Sequence, residues 1–199
     1  MNGFPAISID QYDQIRSSIN SGDLLLCSGN SMMSEMIKGA TQSVWSHVAF
    51  VIHLEIIDRI MVLESVESIG VRTVPLSSYV RNYNGSGAGY PGRIMIARHQ
   101  DFQPQDISNL SQQAVDLLGY PYNTTETLRI AARIGMEAFG FDKSSPEIAP
   151  KNEYICSEYV EICYDSVGID IPYNKDGYIT PADFANCPKV NPLFFIATE

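Results

Sequence analysis

A cysteine at the start of an apparent helix is the residue in this chain most suited to nucleophilic chemistry. Cys156 follows the coil-like run "SSPEIAPKNE" and opens the run "CSEYVEIC". A cysteine in the first helical turn lies near the positive end of the helix dipole and near free N–H groups, which favour a thiolate. Cys156 could instead be a small core residue, because it shares a helix face with Tyr159 and Cys163. Nearby glutamates such as Glu158 also oppose a thiolate.

A nucleophilic cysteine needs a base and a polar group that orients the base, and one pair of strands could supply both. His47 opens "SHVAFVIHL" and Glu64 lies in "RIMVLESV", two strand-like runs joined by a short turn near residues 57–58. If the hairpin pairs Glu64 with Ala49, His47 and Glu64 share a sheet face, whereas a one-residue slip separates them. Taken singly, His47 could be a structural histidine and Glu64 a solvent-facing strand residue. A buried carboxylate needs a partner, and His47 is the nearest candidate.

The elements that must position these residues alternate between strands and helices. Further strands are predicted in "GDLLLCSG", "GVRTVPL", "RIMIARH" and "VNPLFFIA". Helices are predicted for residues 8–21, for "NSMMSEMIKGAT", "QPQDISNLSQQAVDLLG" and "TTETLRIAARIGMEAFGF", for residues 156–167, and for a short stretch of "YITPADFANCP". Strands gathered centrally with helices beside them predict an α+β fold, which we assign to one domain over residues 1–199.

Composition excludes several classes of function. The net charge of −10 and the absence of a basic run argue against a nucleic-acid partner. The longest apolar runs have the length of strands, so no membrane span is expected. Four cysteines without CxxC spacing and three dispersed histidines predict no metal site. Reduced thiols, and an N-terminus that does not resemble a signal peptide, predict a cytoplasmic protein.

The order of five short motifs resembles a known family. The layout "GDLLLC", "SHVAFV", "VLES", "YICSEYV", "ITPADF" is similar to the circularly permuted papain-like cysteine hydrolases, the YiiX-like branch of the NlpC-type superfamily. In that branch the histidine strand comes early and the nucleophile helix late. The resemblance covers about residues 22–184. It implies a permuted papain-like fold, with a central antiparallel sheet and packed helices.

The resemblance also implies roles for individual residues. Cys156 would be the nucleophile, His47 the general base and Glu64 the orienting acid. The backbone N–H of Cys156 would help bind an oxyanion. Tyr154, two residues before the nucleophile, and Tyr122 in "GYPYN" would line the substrate pocket.

The implied activity is hydrolysis of an amide or related acyl bond in a small-molecule, peptide or acyl substrate, with no metal or organic cofactor. Asn123 departs from the aspartate that family members often carry after the tyrosine of "GYPYN". That departure weakens any role for this turn in the reaction.

Two other functions fit parts of the same sequence. A lipid-directed acyltransferase or thioesterase would use a similar permuted fold, resembling the lecithin retinol acyltransferase group. The nucleophile motif of that group is "NCEH"-like, whereas the motif here is "ICSE", which favours the hydrolase branch. A non-catalytic binding module would keep the fold and predicts a Cys156 that is no more reactive than Cys163.

Overall fold

A seven-stranded sheet is the central feature of the computed structural model, which describes residues 3–125, 127, 153–174 and 177–199. The strand order is β1-β7-β6-β2-β3-β4-β5. Every neighbouring pair is antiparallel except β1 and β7, which are parallel. The strands are β1 Ile9–Gln11, β2 Leu24–Gly29, β3 His47–Leu54, β4 Arg59–Val66, β5 Gly70–Pro75, β6 Gly92–His99 and β7 Val190–Ala197.

Helices pack beside this sheet, so the predicted α+β class is confirmed. They are α1 Tyr12–Ile15, α2 Met32–Thr41, α3 Leu76–Arg81, α4 Ile107–Asp116, α5 Cys156–Asp165 and α6 Pro181–Asn186. Most of the helix predicted for "TTETLRIAARIGMEAFGF" lies outside the described residues. No helix within the described ranges combines the length and the apolar character that crossing a bilayer requires.

The central strands are buried on both faces, which explains their nearly continuous apolar sequences. On one face, Leu24, Leu26 and Phe50 belong to a core shared with α4 and α5. On the other face, Leu25 and Ala49 belong to a core shared with α3. The sheet is therefore the middle layer, and residues at the ends of its strands can reach elements on either side.

The helix predicted for residues 8–21 is wrong. Ile9–Gln11 is a strand that pairs in parallel with β7, Tyr12–Ile15 forms one helical turn, and Arg16–Ser18 is a 3-10 turn. Hydrogen bonding to the free edge of β7 decides this segment, and a local pattern of polar residues carries no information about that edge. A smaller difference concerns "LSSYVR", which we expected to form a turn and which forms α3.

The β3–β4 hairpin has the register on which the proposed site depends. The chain reverses after the 3-10 turn Glu55–Ile57 through Asp58, which has a left-handed backbone. Phe50 pairs with Leu63, so the next residues along the two strands, Ala49 and Glu64, lie side by side. His47 and Glu64 therefore share one face of the sheet, as the sequence predicted.

Candidate active site

The His47 ring is hydrogen-bonded to a buried carboxylate. Its Nε2 atom lies 2.8 Å from Oε2 of Glu64, and the Glu64 side chain is completely buried. His47 is the first residue of β3 and Glu64 lies near the end of β4, so both face the same end of the sheet. This contact links residues that are 17 positions apart in the sequence.

Two further donors complete the surroundings of Glu64. Arg72 donates from Nε to Oε1 at 2.8 Å, and the Tyr79 hydroxyl donates to Oε2 at 2.5 Å. Burial by itself raises the pKa of Glu64, but the hydrogen bond and charge of His47, the charge of Arg72 and the hydrogen bond from Tyr79 bring that pKa below its usual value. Glu64 is therefore an ionised carboxylate at neutral pH.

The Cys156 thiol lies near the imidazole of His47, and both side chains line one open cleft. Cys156 is the first residue of α5 and is almost fully buried. Because Nε2 of His47 is engaged with Glu64, Nδ1 is the nitrogen left for a reacting thiol. Burial by itself lowers the pKa of His47, but the hydrogen bonds and negative charges of Cys156 and Glu64 outweigh burial and raise the pKa to about 10. The ring is therefore cationic at neutral pH, between two acidic groups.

Helix α5 is held in place by hydrogen bonds from its side chains to the backbone of distant segments. Ser157 donates to the carbonyl of Ile179 at 2.8 Å, and Tyr159 donates to the carbonyl of Ala114 at 3.1 Å. Glu158 accepts a hydrogen bond from the backbone N–H of Ile155 at 3.3 Å. Its carboxylate thus faces the N-terminus of its own helix, which explains how an acidic residue lies so close to the thiol.

An open cleft of about 740 Å³ ends at Cys156 and His47. Most of its other walls are polar. They include five serines, an exposed glutamate, an arginine, an asparagine and three tyrosines: Ser31, Ser34, Ser46, Ser65, Ser68, Glu67, Arg72, Asn84, Tyr83, Tyr90 and Tyr122. The loop after α3 contributes Tyr83, Asn84 and Tyr90 and so forms part of the rim.

A smaller and more apolar cavity lies beside Cys156. It shares Ile37, Tyr122 and Cys156 with the cleft and has room for only about two water molecules. Its other apolar lining residues include Ala40, Ile155, Ile179 and Pro181. Cys156 therefore lies between a polar space and an apolar one.

The two tyrosines expected at the pocket have different surroundings. Tyr122 lines both cavities and its hydroxyl accepts a hydrogen bond from Thr127 at 3.1 Å. Burial raises the pKa of Tyr122, so the phenol is neutral. The Tyr154 ring instead packs in the core, 5.9 Å from the ring of Tyr120, and its carbonyl accepts a hydrogen bond from Ser65. A role in substrate binding stays a prediction for both residues.

One glycine allows the Tyr122 segment to approach the sheet. Gly70, the first residue of β5, has a φ of +89°, and a Cβ atom there would lie 2.1 Å from the carbonyl oxygen of Tyr120. That carbonyl accepts the N–H of Val71 at 2.8 Å. The missing side chain thus lets the segment that carries Tyr122 bond directly to β5.

The remaining cysteines and histidines are separate from this site. All four cysteines are unpaired. Burial raises the pKa of Cys27 and of Cys163, so both are neutral thiols. His53 lies 3.8 Å from Asp58 at the hairpin turn, and His99 ends β6. No group of three or more His, Cys, Asp or Glu side chains within the described ranges is arranged to hold a metal ion.

The sequence reasoning missed Arg72 and Tyr79. Arg72 faces Glu64 directly across the β4–β5 pair, and Tyr79 lies on α3, which follows β5. Extending the hairpin register by one strand would have placed Arg72 beside Glu64. Nothing in the sequence pattern indicated that Tyr79 would turn toward the same carboxylate.

A family model matches most of the chain. The family model for the permuted papain-like amidase enzyme, YaeF/YiiX, C92 family, matches residues 18–178. The chain belongs to this C92 amidase family. The matched range includes His47, Glu64 and Cys156.

A solved structure shares the fold of this C92-family chain. The crystal structure of metalloprotein YiiX from Escherichia coli O157:H7 has a TM-score of 0.62 and 20% sequence identity, over 91% of this chain and 98% of that one. At this level of identity the similarity concerns the fold alone. No curated protein matches the chain.

Proposed function

We propose that this C92-family protein is a cysteine hydrolase that cleaves an amide or related acyl bond with Cys156, His47 and Glu64. The observation that carries the proposal is the His47 ring, which is hydrogen-bonded to the buried carboxylate of Glu64 and lines one cleft with the Cys156 thiol. Cysteine hydrolases require a nucleophile, a base next to the nucleophile, and a polar group that contacts the base and orients it.

The first half of the proposed reaction forms an acyl enzyme. The Cys156 thiolate attacks the substrate carbonyl carbon, a carbon–sulfur bond forms, and the carbonyl electrons move to its oxygen. The backbone N–H of Cys156 lies in the first turn of α5, where helical N–H groups are free to stabilise an oxyanion. As the oxyanion collapses, the bond to the leaving amine breaks, and protonated His47 donates its proton to the nitrogen.

The second half releases the acid. Neutral His47 takes a proton from water, the resulting hydroxide attacks the thioester, and the carbon–sulfur bond breaks. The thiolate returns and the carboxylic acid leaves. Throughout the cycle Glu64 accepts the hydrogen bond from Nε2 and so fixes the orientation of the ring.

The apolar cavity beside Cys156 favours a second candidate function. The apolar side chains of Ala40, Ile155, Ile179 and Pro181 could contact the start of an acyl chain attached at Cys156, although the space among them has room for only about two water molecules. The two functions differ in what the enzyme accepts and produces. Mass spectrometry after incubation with a fatty acyl thioester, with and without added amine or alcohol acceptors, separates hydrolysis from transfer.

We predict that Cys156 is the first cysteine to react with iodoacetamide, and that it does so below pH 7. His47, with its pKa of about 10, remains cationic across this range and stabilises the neighbouring thiolate. An ordinary thiol, with a pKa of ~8.5, loses about ten-fold in alkylation rate for each pH unit below that value. We expect Cys156 to be alkylated faster than the other three cysteines below about pH 7. Peptide mapping by mass spectrometry measures the rate at each cysteine.

Matched variants make this measurement decisive. Cys163→Ala leaves the site intact and should keep the parent rate, whereas His47→Gln should restore the pH dependence of an ordinary thiol. Cys27 and Cys163 should stay unlabelled in the folded protein, because burial raises the pKa of both thiols and neither lines the cleft. Labelling led by Cys163 or Cys187, with Cys156 untouched, would favour the non-catalytic binding module.

A further inference from the structure

Arg72 is held from both sides at the edge of the cleft. Its Nε donates to Glu64 at 2.8 Å, and its Nη1 and Nη2 atoms each lie 3.3 Å from the side-chain oxygen of Asn84. Its side chain is only 15% exposed. A guanidinium that is bonded along two edges has little freedom to leave Glu64.

The loop that carries Asn84 is built to reach Arg72. Asn84 has a φ of 51° and a ψ of 30°, a left-handed backbone that asparagine tolerates better than most residues. Its neighbour Tyr83 packs edge-on against Tyr79 at 4.9 Å, and Tyr79 itself bonds Glu64. The loop after α3 is therefore linked to the buried Glu64 carboxylate in two ways. Asn84 bonds Arg72, and Tyr83 packs against Tyr79.

The charges in the proposed reaction balance only when Arg72 is included. In the proposed mechanism a Cys156 thiolate opposes the His47 cation before substrate reacts, and Glu64 opposes Arg72. After His47 has given up its proton and the thiolate has become a thioester, Glu64 and Arg72 remain and still cancel. Without Arg72 the buried site would carry one excess negative charge at both stages. That charge would hold the proton on His47.

The other titratable groups near Glu64 cannot cancel the negative charge of its carboxylate. In the described part of the chain they are Cys27 and four tyrosines, and burial raises the pKa of every one. They are therefore neutral at the pH where the enzyme would work: Cys27, Tyr79, Tyr83, Tyr90 and Tyr159. Arg72 and His47 are the cations in direct contact with the carboxylate.

We propose that Arg72 is a positioning residue of the active site. It cancels the charge of Glu64, so the carboxylate orients His47 and His47 can still release its proton. Asn84 holds the guanidinium of Arg72 in place. The effect on His47 follows from the contacts above. Its catalytic consequence rests on the proposed function, in which His47 is the base. In this role Glu64 and Arg72 together form a neutral orienting unit.

The test begins with Arg72→Gln, in which we expect the His47 ring to titrate about one pH unit higher than in the parent. The titration is followed by NMR of protein labelled with ¹⁵N-histidine, and His47→Gln identifies the His47 signals. Arg72→Lys keeps the charge and should titrate close to the parent. Arg59→Gln removes an exposed arginine at the far end of β4 and should leave the His47 titration unchanged.

The catalytic consequence is measured with p-nitrophenyl acetate. The phenolate leaves without a proton, so the acylation burst at Cys156 should change little in Arg72→Gln. Deacylation needs neutral His47, so its rate at pH 7 should fall by about ten-fold and recover at higher pH. Loss of packing alone would not move the pH profile in this way.

A milder variant keeps the test informative if Arg72→Gln does not fold. Asn84→Asp places a carboxylate against the guanidinium on an exposed loop and should give a smaller shift in the same direction. An unchanged His47 titration in folded Arg72→Gln, or in Asn84→Asp if the first variant is unfolded, overturns the role of Arg72. A shifted titration with an unshifted deacylation profile overturns His47 as the base, and with it the proposed function.

Discussion

Cys156→Ala should lower turnover of any amide or ester substrate by about a thousand-fold or more, because it removes the atom that forms the covalent intermediate. The substitution deletes one sulfur from the start of α5, a buried position, and leaves the anchoring bonds of Ser157 and Tyr159 in place. The circular dichroism spectrum should therefore match the parent. Turnover is measured by product release, and the purified protein is checked by thermal melting.

The best control for this loss is Cys163→Ala. It removes the same atom from the same helix, at a position that is also buried, and lies away from the cleft. We expect it to destabilise the protein slightly and to keep parental turnover. His47→Ala should lose nearly as much activity as Cys156→Ala. Full activity in Cys156→Ala would exclude the hydrolase mechanism proposed above.

Glu64→Ala should produce the largest loss of stability among the substitutions considered. Removing this carboxylate leaves His47, Arg72 and the Tyr79 hydroxyl facing a cavity, and breaking a buried ion pair on one side costs about 3–5 kcal/mol. Glu64→Gln keeps a hydrogen-bonding group and should cost less. In turnover, Glu64→Gln should be less severe than Cys156→Ala, because it spoils orientation without removing the nucleophile. Urea unfolding followed by fluorescence measures the free energies.

Glu67→Gln is the matched control for the stability measurement. Glu67 lies three residues further along and is exposed, so its replacement should change the free energy of unfolding by less than about 0.5 kcal/mol. Equal stability of Glu64→Ala and Glu67→Gln would show that the buried network contributes nothing to folding.

The hydrogen-bonded group of Glu64, His47, Arg72 and Tyr79 should also contribute to the free energy of unfolding in a way that depends on pH. The lowered pKa of Glu64 stabilises the fold above its unfolded value of 4.5, and this contribution disappears as the pH falls through the folded pKa. The raised pKa of His47 stabilises the fold fully below 6.5, and this contribution disappears as the pH rises through about 10. The stability gap between the parent and Glu64→Gln should therefore be widest between 4.5 and 6.5.

The candidate site was predictable where its residues lie on one local element. The hairpin follows from two apolar runs and a short turn, and one of its two possible registers places Glu64 on the same sheet face as His47. The start of α5 at Cys156 was equally visible, because a coil-like run precedes it. The link between these two elements came from the order of the family motifs, since no local pattern indicates that α5 packs against β3.

What the sequence could not show depends on contacts between distant segments. Ile9–Gln11 forms a strand only because β7 presents an edge almost two hundred positions later. No local pattern indicates that the Tyr154 ring packs beside Tyr120. Nor does any local pattern indicate that the Asn84 side chain reaches Arg72.

The far end of α5 is fixed as firmly as the end that carries the nucleophile. Tyr164, on its last turn, donates a 2.5 Å hydrogen bond to the carbonyl of Gly22, next to the buried Asp23, which pairs with the partly exposed Arg98. A ten-residue helix is about 15 Å long and moves as a rigid arm. A small tilt at the Tyr164 end would therefore swing the sulfur of Cys156 relative to the imidazole. Natural variation in catalytic rate can thus originate in the residues around Tyr164, which lie at the far end of α5 and never approach the substrate.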